Sequence, residues 1–230
     1  MASVAWVARF KCADAVTPEP EAYPVSPLNQ STGTEIRTGA ESLLPDRFPL
    51  AVRVVLIGLR GSGKTTLGSL LAQRLHTQFI DLDDVTVAGS GQPSVTAMFR
   101  AVGEPAFRAA ECAALEHVLA SESTSGAVIA LGGGTPTAPP ARALLESARA
   151  AGTIRIILLE APPETLGARL ASNPGDRPLL AGASFAEEAL LLGETRLPMY
   201  RTLADAVVST GGHAEASVEA LERAARESTD

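Results

Sequence analysis

The sequence predicts an α/β protein in which one doubly wound sheet of about five parallel strands is flanked by helices. Two observations carry that expectation. Five short apolar runs alternate along the chain with segments whose apolar residues recur at helical spacing. A glycine-rich run lies directly between the first strand and the helix that follows it. The chain has 230 residues, enough for one such domain and a tail but too few for two ordinary domains.

The first strand is Val54-Val55-Leu56-Ile57, an uninterrupted apolar run of the kind buried on both faces of a parallel sheet. Over 64–75, Leu67, Leu70, Leu71 and Leu75 mark one face of a helix. Further strands are expected at 79–80, 127–131, 154–159 and 206–208. Helices are expected at 95–101, 105–120, 139–150, 163–171, 186–203 and 217–226. Pro105 and Pro163 suit a first helical turn, where the missing N–H costs nothing. Residues 1–50 read as a disordered or loosely attached extension, because 13–50 is rich in Pro, Thr, Ser, Glu and Gly and has little periodicity. Residues 51–230 form the expected domain.

Composition bounds the partners. Hydrophobic residues make up 46% and charged residues 20%, so a core of useful size can be buried. Aromatics are scarce, so that core is aliphatic. The net charge of -7 argues against a general nucleic-acid binder, which shows a basic face. No apolar run approaches the roughly 18 residues needed to cross a bilayer. Cys12 and Cys112 form neither a CxxC pair nor a metal spacing, and read as reduced thiols. His76, His117 and His213 are scattered and read as surface or helix-end residues. A cytoplasmic location is expected, with a short organelle-targeting peptide over the first eleven residues as the alternative.

The glycine-rich run carries the chemistry. Gly58-Leu59-Arg60-Gly61-Ser62-Gly63-Lys64-Thr65 satisfies G-x-x-x-x-G-K-[ST] in full, with a strand before it and a helix after it. Such a phosphate loop curls so that successive N–H groups point at phosphate oxygens, and the helix dipole adds to their pull. Lys64 would reach the β- and γ-phosphates of ATP, and the Thr65 hydroxyl would ligand Mg²⁺. Gly58, Arg60, Gly61, Ser62, Gly63 and Thr66 complete the expected ATP-binding set.

The second strand runs into Asp81-Leu82-Asp83-Asp84, at the edge of the sheet where ligands bind. Read as extended chain, alternation puts Asp81 and Asp83 on one side and Leu82 on the other. One carboxylate could hold the metal, while the other accepts the proton of an acceptor hydroxyl and orients that nucleophile; Asp81 is taken for the first role and Asp83 for the second. Asp84 is left as a helix cap.

With these residues in place, the chain over about 52–208 resembles the shikimate kinase family. Asp81-Leu82-Asp83 resembles its Asp-x-Asp. Phe99, Gly103-Glu104, Phe107-Arg108 and Glu111 resemble its Phe…Gly-Glu…Phe-Arg-x-x-Glu segment. Leu131-Gly132-Gly133-Gly134 resembles the turn after its third strand. Arg177-Pro178-Leu179-Leu180 resembles its mobile lid, and Arg196-Leu197-Pro198-Met199-Tyr200 its Arg-x-Pro-x-Tyr. The resemblance implies transfer of the ATP γ-phosphoryl group to the 3-hydroxyl of shikimate by a monomer.

It also implies roles. Arg108 and Arg196 would clamp the shikimate carboxylate, with Glu111 holding Arg108 in place. Gly132, Gly133 and Gly134 would allow close approach of backbone to substrate. Arg177, in a lid over about 172–182, would add charge near the transferring group. Arg169 would stack on adenine. Phe99 and Phe107 would wall the acceptor pocket or pack in the core. Two features depart from the family. Arg60 stands where many members have a neutral residue, which is similar to the kinase part of multifunctional aromatic-pathway proteins. Ser209-Thr210-Gly211-Gly212-His213 lacks the basic residue that often approaches adenine. A kinase of another polyol acid, such as gluconate, and a silent kinase-like binding protein are the competing readings.

Overall fold

The computed structural model describes residues 50, 52–173, 182 and 184–227. The N-terminal extension, Arg177 and most of the expected lid lie outside the described residues. Five strands form one all-parallel sheet: β1 (Arg53–Ile57), β2 (Phe79–Asp81), β3 (Val128–Ala130), β4 (Ile154–Glu160) and β5 (Ala206–Ser209). Their order is β2-β3-β1-β4-β5. Seven α-helices lie among the described residues: α1 (Lys64–Leu75), α2 (Leu82–Ala88), α3 (Val95–Ala120), α4 (Pro139–Ala150), α5 (Pro163–Ser172), α6 (Phe185–Leu203) and α7 (Ala214–Arg226).

Strand alternation sorts the core into two layers. Val55 and Ile57 of β1 point to one face, with Ile129, Ile156 and Leu158 beside them. There they meet Leu115 of α3, Leu145 of α4 and Tyr200 of α6. Val54 and Leu56 point the other way and pack with Leu67 and Leu71 of α1 and Val218 and Leu221 of α7. All four β1 side chains from Val54 to Ile57 are fully buried. At about 1.5–3 kcal/mol for each large aliphatic side chain removed from water, this central strand anchors the sheet.

Order within the sheet places the ligand edge. From β1 the chain crosses to the edge at β2 and then returns to insert β3 next to β1. The reversal makes a crevice beyond the carboxyl ends of β1 and β3, where open α/β sheets bind ligands. The loops leaving β1, β2, β3 and β5 all open there.

Two elements differ from expectation. The chain after β2 is not extended. It turns at once into α2, and the Asp81 carboxylate caps that helix by accepting the Asp83 N–H at 3.1 Å. The cap is therefore Asp81 and not Asp84, because a cap must sit just outside the first turn to reach an orphan N–H. The segments expected at 95–101 and 105–120 are two halves of α3 that meet at Gly103, whose φ of 74° and ψ of 169° are non-helical. Only a residue without Cβ adopts that conformation at little cost, and Pro105 then opens the second half. His76, His117 and His213 are exposed at or near helix ends, as expected.

Candidate active site

A cleft of about 810 Å³ opens at the carboxyl edge of the sheet. One end is the phosphate loop between β1 and α1. Gly61 and Gly63 take φ values of 80° and 91°, which curl the loop around its own N–H groups. Gly58 has φ 149°, and a Cβ on it would lie 2.5 Å from the Leu159 carbonyl oxygen. The N-terminus of α1 has no side-chain cap and no acidic residue in its first turn. Its N–H donors and positive dipole end thus face the cleft without a carboxylate of their own. Lys64 Nζ donates to the carbonyls of Gly58 at 2.9 Å and Leu59 at 3.0 Å.

The loop is braced from the β5 side. The buried Thr210 hydroxyl donates to the Ser62 carbonyl at 3.0 Å. Arg169 of α5 donates to the Gly61 carbonyl at 3.2 Å and to the Thr210 carbonyl. Its guanidinium is thereby fixed at the cleft wall beside Gly212. Arg60, at the cleft wall, lies 3.9 Å from the buried Glu188 carboxylate of α6 and 5.6 Å from the centre of the Phe185 ring.

Beside the loop, the Thr65 hydroxyl donates to the Asp81 carboxylate at 2.8 Å. Burial raises the Asp81 carboxyl above the ordinary range, with the Thr65 hydrogen bond opposing and the nearby Asp83 charge adding to the shift. A hydroxyl and a carboxylate so paired are hard oxygen donors of the kind Mg²⁺ takes. Among the described residues no group of three or more His, Cys, Asp or Glu side chains forms an all-protein cage. A small donor set that leaves room for water and phosphate oxygens suits Mg²⁺ better than such a cage.

The other end of the cleft is assembled around the glycine turn after β3. Gly132 faces Glu111, Thr135 and Asp83: a Cβ there would come within 2.8–3.0 Å of an oxygen of each. Gly134 faces Arg108, whose guanidinium would lie 2.6–2.9 Å from an added Cβ. The carbonyl of Gly133 accepts from Arg196 at 3.0 Å and from the Tyr200 hydroxyl. The Arg108 guanidinium donates at 2.5 Å to Glu111, which also accepts from Thr135 at 2.8 Å. Burial pushes the Glu111 carboxyl up, and Arg108 and Thr135 pull against that shift. Phe99 and Phe107 line the same end with ring centres 5.5 Å apart, so both the wall and the core readings hold: Phe107 is also packed with Met98 and Ala110.

The cleft therefore gathers Arg60, Gly61, Gly63, Lys64, Thr65 and Thr66 with Asp81, Asp83 and Arg169. It also gathers Arg108, Gly132, Gly133, Gly134 and Arg196. Gly58 and Ser62 do not line it. They are buried and shape the loop from behind, Gly58 against Leu159 and Ser62 through Thr210. Arg177 lies outside the described residues. Sequence reasoning does not bring Thr135, Thr210 or Arg100 to this site, where the structure puts them. Lone hydroxyls after a turn or strand carry no motif, and a single helix Arg reads as surface. The one usable signal was Arg100's place next to Phe99.

A parallel sheet in this order, with a strand–phosphate loop–helix unit facing an arginine-lined pocket across paired aspartates, defines a P-loop phosphotransferase. The family model for shikimate kinase matches residues 60–226. The chain is 37% identical over 174 residues to a shikimate kinase of Neisseria gonorrhoeae, covering 76% of this chain and 96% of that protein. A solved shikimate kinase of Acinetobacter baumannii, in complex with shikimate, superposes with a TM-score of 0.66 at 28% identity, covering 76% of this chain and 94% of that one. A gluconokinase of Sinorhizobium meliloti shares the fold, with a TM-score of 0.55 at 18% identity over 77% of this chain and 93% of that one. The chain belongs to the shikimate kinase family.

Proposed function

We propose that this protein transfers the γ-phosphoryl group of ATP to the 3-hydroxyl of shikimate, and that the two ends of the cleft divide the work. The observation that carries the acceptor is the convergence of Arg108 and Arg196 on the Gly132–Gly134 turn, in one cleft with Lys64 and Asp83. A carboxylate fits between two guanidinium forks, and an acceptor held by it presents its ring hydroxyls toward the phosphate loop.

In the reaction the acceptor oxygen bonds to the γ-phosphorus as the bond to the ADP oxygen breaks. The acceptor's hydroxyl proton passes to the Asp83 carboxylate. Loop N–H groups and Lys64, released from the Gly58 and Leu59 carbonyls, stabilise charge on the transferring group. Arg169 holds the loop's nucleotide side, and Arg177 is assigned the charge contribution that its place in the sequence implies. Thr65 and Asp81 would hold Mg²⁺, which supplies charge neutralisation for the triphosphate. Glu111 keeps Arg108 aimed at the turn.

The same reading makes the protein a cytoplasmic monomer acting on two small molecules, without a nucleic-acid or membrane partner. The net charge of -7 speaks against a nucleic-acid partner, and among the described residues no helix is long and apolar enough to cross a membrane.

The test is ADP release from ATP and Mg²⁺ with shikimate, beside gluconate and a reaction without acceptor. Release that depends on shikimate is expected. Release that depends on gluconate alone would replace the acceptor. ATP binding without acceptor-dependent release would leave a binding protein.

A further inference from the structure

Arg100 lies in the first half of α3 and lines the cleft with its neighbours Thr96 and Phe99. It is exposed. The other cations of the cleft are engaged. Arg108 holds Glu111, Arg196 holds the Gly133 carbonyl, and Arg169 and Lys64 hold loop carbonyls. Arg60 lies by Glu188. Arg100 has no hydrogen bond or ion pair among the described residues. The reason is local. In a continuous helix Glu104 would sit one turn on, at the i+4 position that favours an Arg–Glu pair. The non-helical Gly103 interrupts that geometry, and Glu104 turns instead to Arg108, at 3.5 Å.

Its place in the fold says which substrate it meets. The first half of α3 follows α2 and lies at the β2 side of the sheet, with Phe99 against Phe107 next to Arg108. The nucleotide side, with Arg169, Thr210 and Gly212, lies toward β5, across the phosphate loop. An unengaged guanidinium at the acceptor end attracts anions entering there. We infer that Arg100 is an electrostatic capture residue for the anionic acceptor, adding to the affinity of the Arg108–Arg196 clamp without taking part in phosphoryl transfer. The inference rests on the proposed acceptor being a carboxylate. The product carries a phosphate besides that carboxylate, so Arg100 also holds product more strongly than substrate.

The experiment uses the full chain with shikimate and ATP as variable substrates, at low and at high salt. Arg100→Ala is expected to raise KM for shikimate by about three- to tenfold at low ionic strength, with kcat and KM for ATP unchanged. The gap should close as salt screens the charge. Arg100→Glu should exceed the alanine effect, and Arg100→Lys should restore most of the wild-type KM, because capture needs the charge and not the fork. Product inhibition should weaken in Arg100→Ala more than substrate affinity does. A shikimate KM within twofold of wild type at low salt overturns the inference, as does a rise that salt leaves untouched. Wild-type enzyme without shikimate-dependent release would instead overturn the acceptor assignment, which this comparison registers separately.

Discussion

The nucleotide end of the cleft is made by consecutive residues and mostly by backbone. Gly58 to Thr65 supply the curl, the inward N–H groups, the lysine and the hydroxyl, and the braces from Thr210 and Arg169 bind that backbone from behind. The acceptor end is made by side chains from separate segments: Asp83 from α2, Arg108 and Glu111 from α3, Thr135 after the glycine turn, and Arg196 and Tyr200 from α6. Backbone geometry is rigid and indifferent to one side chain. A side-chain cage depends on every member. So the first end should tolerate no change of shape and the second should respond in degrees.

The largest effects test the shared centre. Lys64→Ala and Asp83→Asn should each lower turnover by at least about a hundredfold while the circular dichroism spectrum and melting temperature stay near wild type. Near-normal turnover in either would remove that residue from the reaction. Next comes the clamp. Arg108→Ala should raise KM for shikimate about tenfold or more and KM for ATP little. An equal rise for both substrates would mean that the two ends are not separate.

Two glycines sharpen the contrast. Gly58→Ala places a Cβ 2.5 Å from a carbonyl oxygen of β4, at a positive φ, so backbone must move. A loss of about 2 kcal/mol of stability together with ATP binding is expected in denaturant titration. Gly134→Ala meets only the tip of Arg108, a flexible side chain that can swing aside. Its melting temperature should shift by no more than about 4 °C, while KM for shikimate rises as the displaced guanidinium leaves its place. If Gly134→Ala unfolds the protein, the acceptor end is as rigid as the loop.

The smallest effect is the pH dependence set by Glu111. Its carboxyl titrates above the ordinary 4.5 because it is buried, and the Asp83 charge also raises it. The native state therefore binds this proton more tightly than the unfolded chain. The group's contribution to stability falls as pH rises from about 4.5 through its folded value. Function runs the other way, because the protonated carboxyl loses its ion pair with Arg108. KM for shikimate should rise on acidification, beginning above the usual carboxylate range, in the wild type but not in Glu111→Gln. Relative to Glu111→Gln, the wild type should gain stability over the same acid interval in thermal unfolding. A flat difference would place the titrating group elsewhere.

What could be read in advance follows the same divide. Strands and helices came from apolar periodicity, and α1 and α4 run as expected over 64–75 and 139–150. The phosphate loop is one contiguous pattern whose chemistry is local. Position along the chain brings Asp81 and Asp83 to the site, but their geometry is that of a helix start and not of an extended strand. An Asp beside a buried Leu fits strand alternation and helix capping equally well, and in the structure the Asp81 carboxylate caps a helix that begins at Leu82.

By itself the sequence determined the element order, the loop, the aspartates and the arginines, because each depends on neighbours a few residues away. Tertiary structure decided which side chains share a wall. It put Thr135 on Glu111, Thr210 on Ser62 and Tyr200 on Gly133, at separations of 24, 148 and 67 residues. It also left Arg100 without a partner among the described residues, beside a break at Gly103 where Glu104 pairs with Arg108. Such pairings follow from sheet order and helix docking, to which many residues contribute, and no short stretch of sequence records them.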